Sequence, residues 1–85
     1  MGYRVVIMPA ARKALERLPL DVCLRVNRAI QALAEAPRPH GCAKLSGAVD
    51  LYRVRVGDYR VVYRIEDRVL TVLIVRIGHR GDVYR

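Results

Sequence analysis

Cysteine is scarce in this chain: 85 residues contain two, Cys23 and Cys42. Two cysteines with no secretory leader ahead of them do not make a disulfide framework. With no C-x-x-C spacing and no histidine pair nearby, they do not make a metal centre either. Both are expected as reduced thiols, and neither metal nor cofactor is expected. Long apolar runs are also missing. Stretches such as Val72 to Val75 are far too short to span a bilayer. The start, Met1-Gly2-Tyr3-Arg4, does not open a charged-then-apolar signal pattern. No membrane contact and a cytoplasmic location are therefore expected. Repeats, linkers and low-complexity segments are absent, and the length suits one domain, residues 1–85. Acid is in short supply: 8 Asp and Glu face 16 Lys and Arg, a formal charge of +8. Such an excess costs stability through self-repulsion and points to an anionic partner. Composition alone leaves nucleic acid, an acidic protein and a membrane surface open.

What is present reads as a folded α+β domain, with 53% hydrophobic residues. Tyr3 to Met8 is short, β-branched and apolar, which predicts a buried strand. Pro9 ends it and suits the first turn of a helix, where no N–H donor is needed. Ala11, Ala14, Leu15 and Leu18 then recur at three- and four-residue spacing, giving an amphipathic helix from Pro9 to Leu18. Pro19 closes it. A second helix is predicted from Leu20 or Asp21 to about Ala36, with Val22, Val26, Ala29, Ile30 and Leu33 as its apolar stripe. Pro37-Arg38-Pro39-His40-Gly41 breaks the chain into a loop. Leu51 to Val56 and Tyr59 to Ile65 alternate as strands, and Gly57-Asp58 between them favours a tight type II′ hairpin. Glu66-Asp67-Arg68 is a second short connection before a third strand, Val69 to Ile77. The expected architecture is an N-terminal strand, a two-helix hairpin and an antiparallel β-meander, with the helices packed on one face of the sheet.

The Gly57-Asp58 turn fixes a register, and the register sorts side chains by face. Val56 faces Tyr59, Arg55 faces Arg60, Val54 faces Val61, Arg53 faces Val62 and Tyr52 faces Tyr63. One face carries Tyr52, Val54, Val56, Tyr59, Val61 and Tyr63, the core side under the helices. The other carries Arg53, Arg55, Arg60 and Arg64. Opposed Arg55 and Arg60 repel, and no acid falls on this face within the two strands as drawn. Two readings stand: a solvated, charge-decorated sheet face, or a phosphate site, since guanidinium forks bind phosphate oxygens in pairs.

The segment from Tyr52-Arg53-Val54-Arg55-Val56 through Gly57-Asp58-Tyr59-Arg60-Val61-Val62-Tyr63 resembles the RelE branch of the RelE/ParE toxin superfamily. So do Ile77-Gly78-His79-Arg80-Gly81-Asp82-Val83-Tyr84, Pro37-Arg38-Pro39 and Lys44-Leu45-Ser46-Gly47. The resemblance implies the toxin of a type II toxin–antitoxin system. It implies a ribosome-dependent messenger RNA endoribonuclease that inhibits translation and is neutralised by a cognate antitoxin. Its partners would be that antitoxin, the ribosome and messenger RNA, with DNA contacted only as the toxin–antitoxin complex. It places Arg53 and Arg55 at the two basic positions of the first hairpin strand. Arg60 falls on the next strand, Arg80 after the last strand, and Tyr84 beyond it. Lys44, Arg53, Arg55, Arg60 and Arg64 are the expected RNA contacts. With the chain running to Arg85, no family C-terminal helix is expected.

The chemistry suits these residue types. Metal-independent cleavage uses the 2′-hydroxyl as nucleophile and needs a base, an acid for the leaving 5′ oxygen and cations for the transition state. Arg60 and Arg80 suit the last task, and Tyr84 suits stacking or phosphate orientation. Where relatives carry lysine, Arg53 and Arg55 keep their charge and are poor bases. His79 then becomes the titratable candidate; the other reading of His79 is a solvated turn residue. Alternatives of other classes are a ParE-like DNA gyrase inhibitor without nuclease activity, and a degenerate antitoxin-binding regulatory module.

Overall fold

A computed structural model describes residues 2–45 and 50–79. The first strand, β1, spans Arg4–Ile7, and the helices are α1, Pro9–Glu16, and α2, Leu20–Ala32. They are followed by β2 (Ala43–Lys44), β3 (Leu51–Val56), β4 (Tyr59–Glu66), a 3₁₀ turn at Asp67–Val69, and β5 (Thr71–His79). The five strands form one sheet in the order β1-β5-β4-β3-β2. The α+β architecture is as predicted, with one refinement. β1 pairs in parallel with β5, Arg4 opposite Thr71 through Ile7 opposite Ile74. The last strand therefore lies inside the sheet rather than at the end of a meander.

Both helices end before their predicted limits, for a shared reason. A residue that precedes proline is pushed out of the helical region. α1 closes at Arg17, whose N–H reaches the Ala14 and Leu15 carbonyls, two residues before Pro19. α2 gives way after Ala32 to 3₁₀-type bonds: Leu33 N–H to Ile30 O and Ala34 N–H to Gln31 O, ahead of Pro37. At the other boundary, the third long strand starts at Thr71 and not Val69. Asp67–Val69 winds into a 3₁₀ turn, and Leu70 follows in the left-handed region at φ 47°.

The helices cover one face of the sheet. Ala11 and Leu15 from α1, and Val26, Ile30 and the following Leu33 from α2, are buried with Val61, Tyr63, Ile65, Val72, Ile74 and Ile77. Tyr63 is fully buried, and its hydroxyl donates to the Pro37 carbonyl at 2.8 Å. Tyr52 stacks beside it with ring centroids 6.0 Å apart. Burial pushes the Tyr63 phenol well above its ordinary pKa. A second fastening joins distant parts of the chain. Arg38 pairs with Asp67 at 2.9 Å, donates to the Tyr52 hydroxyl at 3.2 Å, and lies over the Tyr52 ring. The Tyr3 hydroxyl donates to the same Asp67 carboxylate at 2.7 Å. These bonds hold the Asp67 carboxyl below its usual range, the Arg38 bond first and the Tyr3 bond second. The loop after α2, the N-terminus and the 3₁₀ turn thus meet at one carboxylate.

Candidate nucleic-acid interface

The β3–β4 hairpin sets the outer face of the sheet. Its pairing agrees with the register expected from the turn at every position from Tyr52–Tyr63 to Val56–Tyr59. Gly57 takes φ 59° while Asp58 keeps a negative φ, the pattern of a type II′ turn. The guanidinium of Arg25 on α2 lies close by: a Cβ at Gly57 would meet its nitrogens at 3.6 and 3.8 Å. The outer face then reads in rows across the strands. Arg55, Arg60 and Gly78 form one row. Arg53, Val62 and Arg76 form the next, and Leu51, Arg64, Leu73 and Val6 a third.

Arg60 sits on an interior strand, flanked by Arg55 on one side and Gly78 on the other. It is half-buried, with its Nε out of solvent. A charge that guards a sheet edge against pairing belongs on an edge strand; Arg60 is not so placed. Gly78, half-buried, adds no side chain beside it, the kind of position where a ligand can approach the backbone. Arg53 is half-buried and Arg55 exposed in the adjoining strand. Three predicted cations therefore converge at the hairpin end of one face.

The remaining predicted residues lie elsewhere. Arg64 is on the same face, but β4 runs one residue further than the sequence suggested. That brings in Glu66, whose carboxylate stands 3.7 Å from the Arg64 Nε. The face therefore does carry an acid. Lys44 pairs with Tyr52 and belongs to the Tyr52 side, opposite the arginines. His79 pairs with Tyr59 and likewise projects to the helix side, its ring edge-to-face with Tyr59 at 5.4 Å. Arg80 and Tyr84 lie outside the described residues. A depression of about 450 Å³ at the far end of β4 is lined by Asp50, Ile65, Glu66, Asp67 and Arg68. Its carboxylates make it unsuitable for a phosphate. Among the described residues no three His, Cys, Asp or Glu side chains come together to hold a metal ion.

Arg76 was not among the predicted residues. Strict alternation along β5 would set Val72, Ile74 and Arg76 on the core side. Instead the β4–β5 ladder shifts between Val62 and Tyr63: Tyr63 pairs with Ile74, and Val62 with Arg76. The extra residue, Val75, forms a β-bulge, which flips the faces beyond it. Arg76 turns outward and Ile77 turns inward, 5% exposed. The buried positions run Val72, Ile74 and then Ile77, but Val72 to Val75 is apolar throughout, so the sequence does not mark where the alternation breaks.

The family model "ParE toxin of type II toxin-antitoxin system, parDE" matches residues 5–84. The chain belongs to the RelE/ParE superfamily of type II toxins. Toxin RelG of Mycobacterium tuberculosis is 35% identical over the whole of this chain and 99% of its own. The toxin chain in the Pyrococcus horikoshii RelE–RelB complex superposes with a TM-score of 0.84 at 35% identity. That match covers 98% of this toxin and 100% of that chain. The isolated Escherichia coli RelE toxin gives a TM-score of 0.82 at 26% identity, over 98% of this toxin and 92% of its own chain. No helix of this toxin is long and apolar enough to cross a membrane, among the residues described.

Proposed function

We propose that this toxin is a ribosome-dependent messenger RNA endoribonuclease that inhibits translation. The observation that carries the reading is the convergence of Arg53, Arg55 and Arg60 on one sheet face, in rows that include a glycine, Gly78, with no side chain of its own. Such a face suits a phosphodiester. The 2′-oxygen attacks phosphorus, the 5′-oxygen leaves, and the intermediate charge is greatest at the phosphoryl oxygens. Fixed guanidinium groups stabilise that charge more than the ground state. Arg60 is the best-placed of the three because its stem is half-buried and so held in position. Arg53 and Arg55 bind and orient the strand rather than transfer protons. Arg80 and Tyr84 keep the roles that the family resemblance gives them, phosphate stabilisation and base stacking.

His79 is kept from the sequence as the titratable candidate for proton transfer, although its ring projects to the helix side against Tyr59, opposite the Arg55–Arg60 row. No metal is assigned to the reaction. The partner that silences the toxin is a cognate antitoxin, by analogy with the RelE–RelB complexes of Pyrococcus horikoshii and Mycobacterium tuberculosis. An antitoxin segment covers part of the arginine face or packs on the helical hairpin, where Leu20 and Leu24 stand 75% and 56% exposed.

The test is incubation with programmed ribosomes and primer-extension mapping of messenger cleavage, beside a gyrase supercoiling assay. Cleavage in the decoding site is expected. The family model that matches is the ParE one, so gyrase inhibition without cleavage is the second reading and would replace the first.

A further inference from the structure

The structure assigns Arg76 a role that the three predicted arginines leave open: we propose that Arg76 and Arg53 hold a second RNA phosphate, next in line to the one gripped by Arg55 and Arg60. The inference rests on the endoribonuclease reading and specifies the ligand of that face as a single strand lying along β4. Arg53 and Arg76 flank Val62 from the two neighbouring strands. Val62 is only 6% exposed although it faces outward, so little of the floor between them is left to solvent. The Arg55–Arg60 row lies two residues further along β4, a separation of about 7 Å at ordinary strand rise. Two cationic rows at that spacing suit two consecutive phosphates of an extended strand. A lone charge serving only to protect a strand edge needs no particular face. Here a bulge fixes the face, and bulges that re-aim one side chain cluster beside functional sites.

Arg76 is exposed, so Arg76→Gln should keep its melting transition, and circular dichroism checks this. Binding of a short single-stranded RNA, followed by fluorescence anisotropy across salt, should then lose about 0.7 from the slope of log affinity against log salt. Arg76→Lys should restore the slope. The second arm uses single-turnover cleavage on programmed ribosomes, with a neutral methylphosphonate at either phosphate adjoining the scissile one. At one of the two positions wild type should lose about tenfold in rate. Arg76→Gln should show that loss on unmodified messenger and little further loss with the methylphosphonate, because both changes remove the same contact. An unchanged salt slope, or additive losses at both positions, overturns the assignment. Absence of any wild-type cleavage would instead defeat the endoribonuclease reading, and the anisotropy arm would still decide whether Arg76 binds RNA.

Discussion

Replacing Arg55 by alanine separates the charge of the arginine face from its architecture. Arg55 is exposed and directly opposed to Arg60. Like charges in a cross-strand pair destabilise by about 0.2–1 kcal/mol. Losing the repulsion offsets alanine's poorer fit to a strand, which is of similar size. The net change should lie within about 0.5 kcal/mol, a melting shift below roughly 4 °C for a domain of this length. Arg60→Ala should behave differently, since its stem is half-buried: a loss of about 1 kcal/mol is expected from packing alone. Binding moves the other way. Each arginine on a single-strand phosphate contributes about 0.7 to the salt slope. If Arg53, Arg55 and Arg60 all engage, raising salt fourfold should weaken wild type by roughly 20-fold and Arg55→Ala by about 7-fold. Thermal melts and salt-dependent anisotropy with a short RNA measure both quantities on the same samples. A melting loss well beyond 6 °C would make Arg55 a structural residue. An unchanged salt response would remove Arg55 from the phosphate path and leave the arginine face a solvated surface.

Other expectations are narrower. His79→Gln should lower the single-turnover cleavage rate by removing the proposed proton-transfer group; an unaltered rate would take His79 out of proton transfer. Arg80→Ala should lower the chemical rate on the order of a hundredfold with little change in binding, and full activity would end its phosphate role. Tyr63→Phe removes the donor to the half-buried Pro37 carbonyl and should cost about 1 kcal/mol in a urea titration; a neutral result would mean that water replaces the hydroxyl. Asp67 has a lowered carboxyl pKa in the fold. Its bonds to Arg38 and Tyr3 therefore stabilise the protein above the ordinary aspartate value of 3.8, and that stabilisation fades as pH falls through the lower folded value. Asp67→Asn should thus melt earlier than wild type at neutral pH and converge with it in acid.

The hairpin was legible because one short turn decides everything around it. Gly57-Asp58 sets the pairing, and the pairing sorts Arg53, Arg55 and Arg60 from Tyr52, Val54 and Val61. Helix positions were legible from apolar spacing, and their ends were overrun only where Pro19 and Pro37 act at a distance of two or more residues. Strand order was harder. That β1 would choose β5 depends on packing between segments far apart in the chain, and no local pattern encodes it. The two-residue β2 is too short to show any alternation. Lys44 shows the result: basic and near the hairpin in sequence, it lies on the opposite face because its register follows Tyr52. The faces of Arg76 and His79 depend on one extra residue, Val75, since a bulge reverses every side chain beyond it. Arg38 and Asp67 looked like loop residues, and their pairing emerges only once the 3₁₀ turn is in place.

The parallel pairing of β1 with β5 also governs when the toxin can come into being. Arg4 finds its partner at Thr71, across most of the chain's length, and α1 packs chiefly on β5. A growing polypeptide that has released β1, both helices and even the β3–β4 hairpin still lacks the strand on which the first half rests. Contacts of such long range form late, because their loop-closure cost falls due before any reward. The arginines of the hairpin therefore leave the ribosome on an unfinished scaffold, and the row containing Arg76 closes only with the final strand. An endoribonuclease of the proposed kind would thus complete its rows of cations only once β5 has emerged.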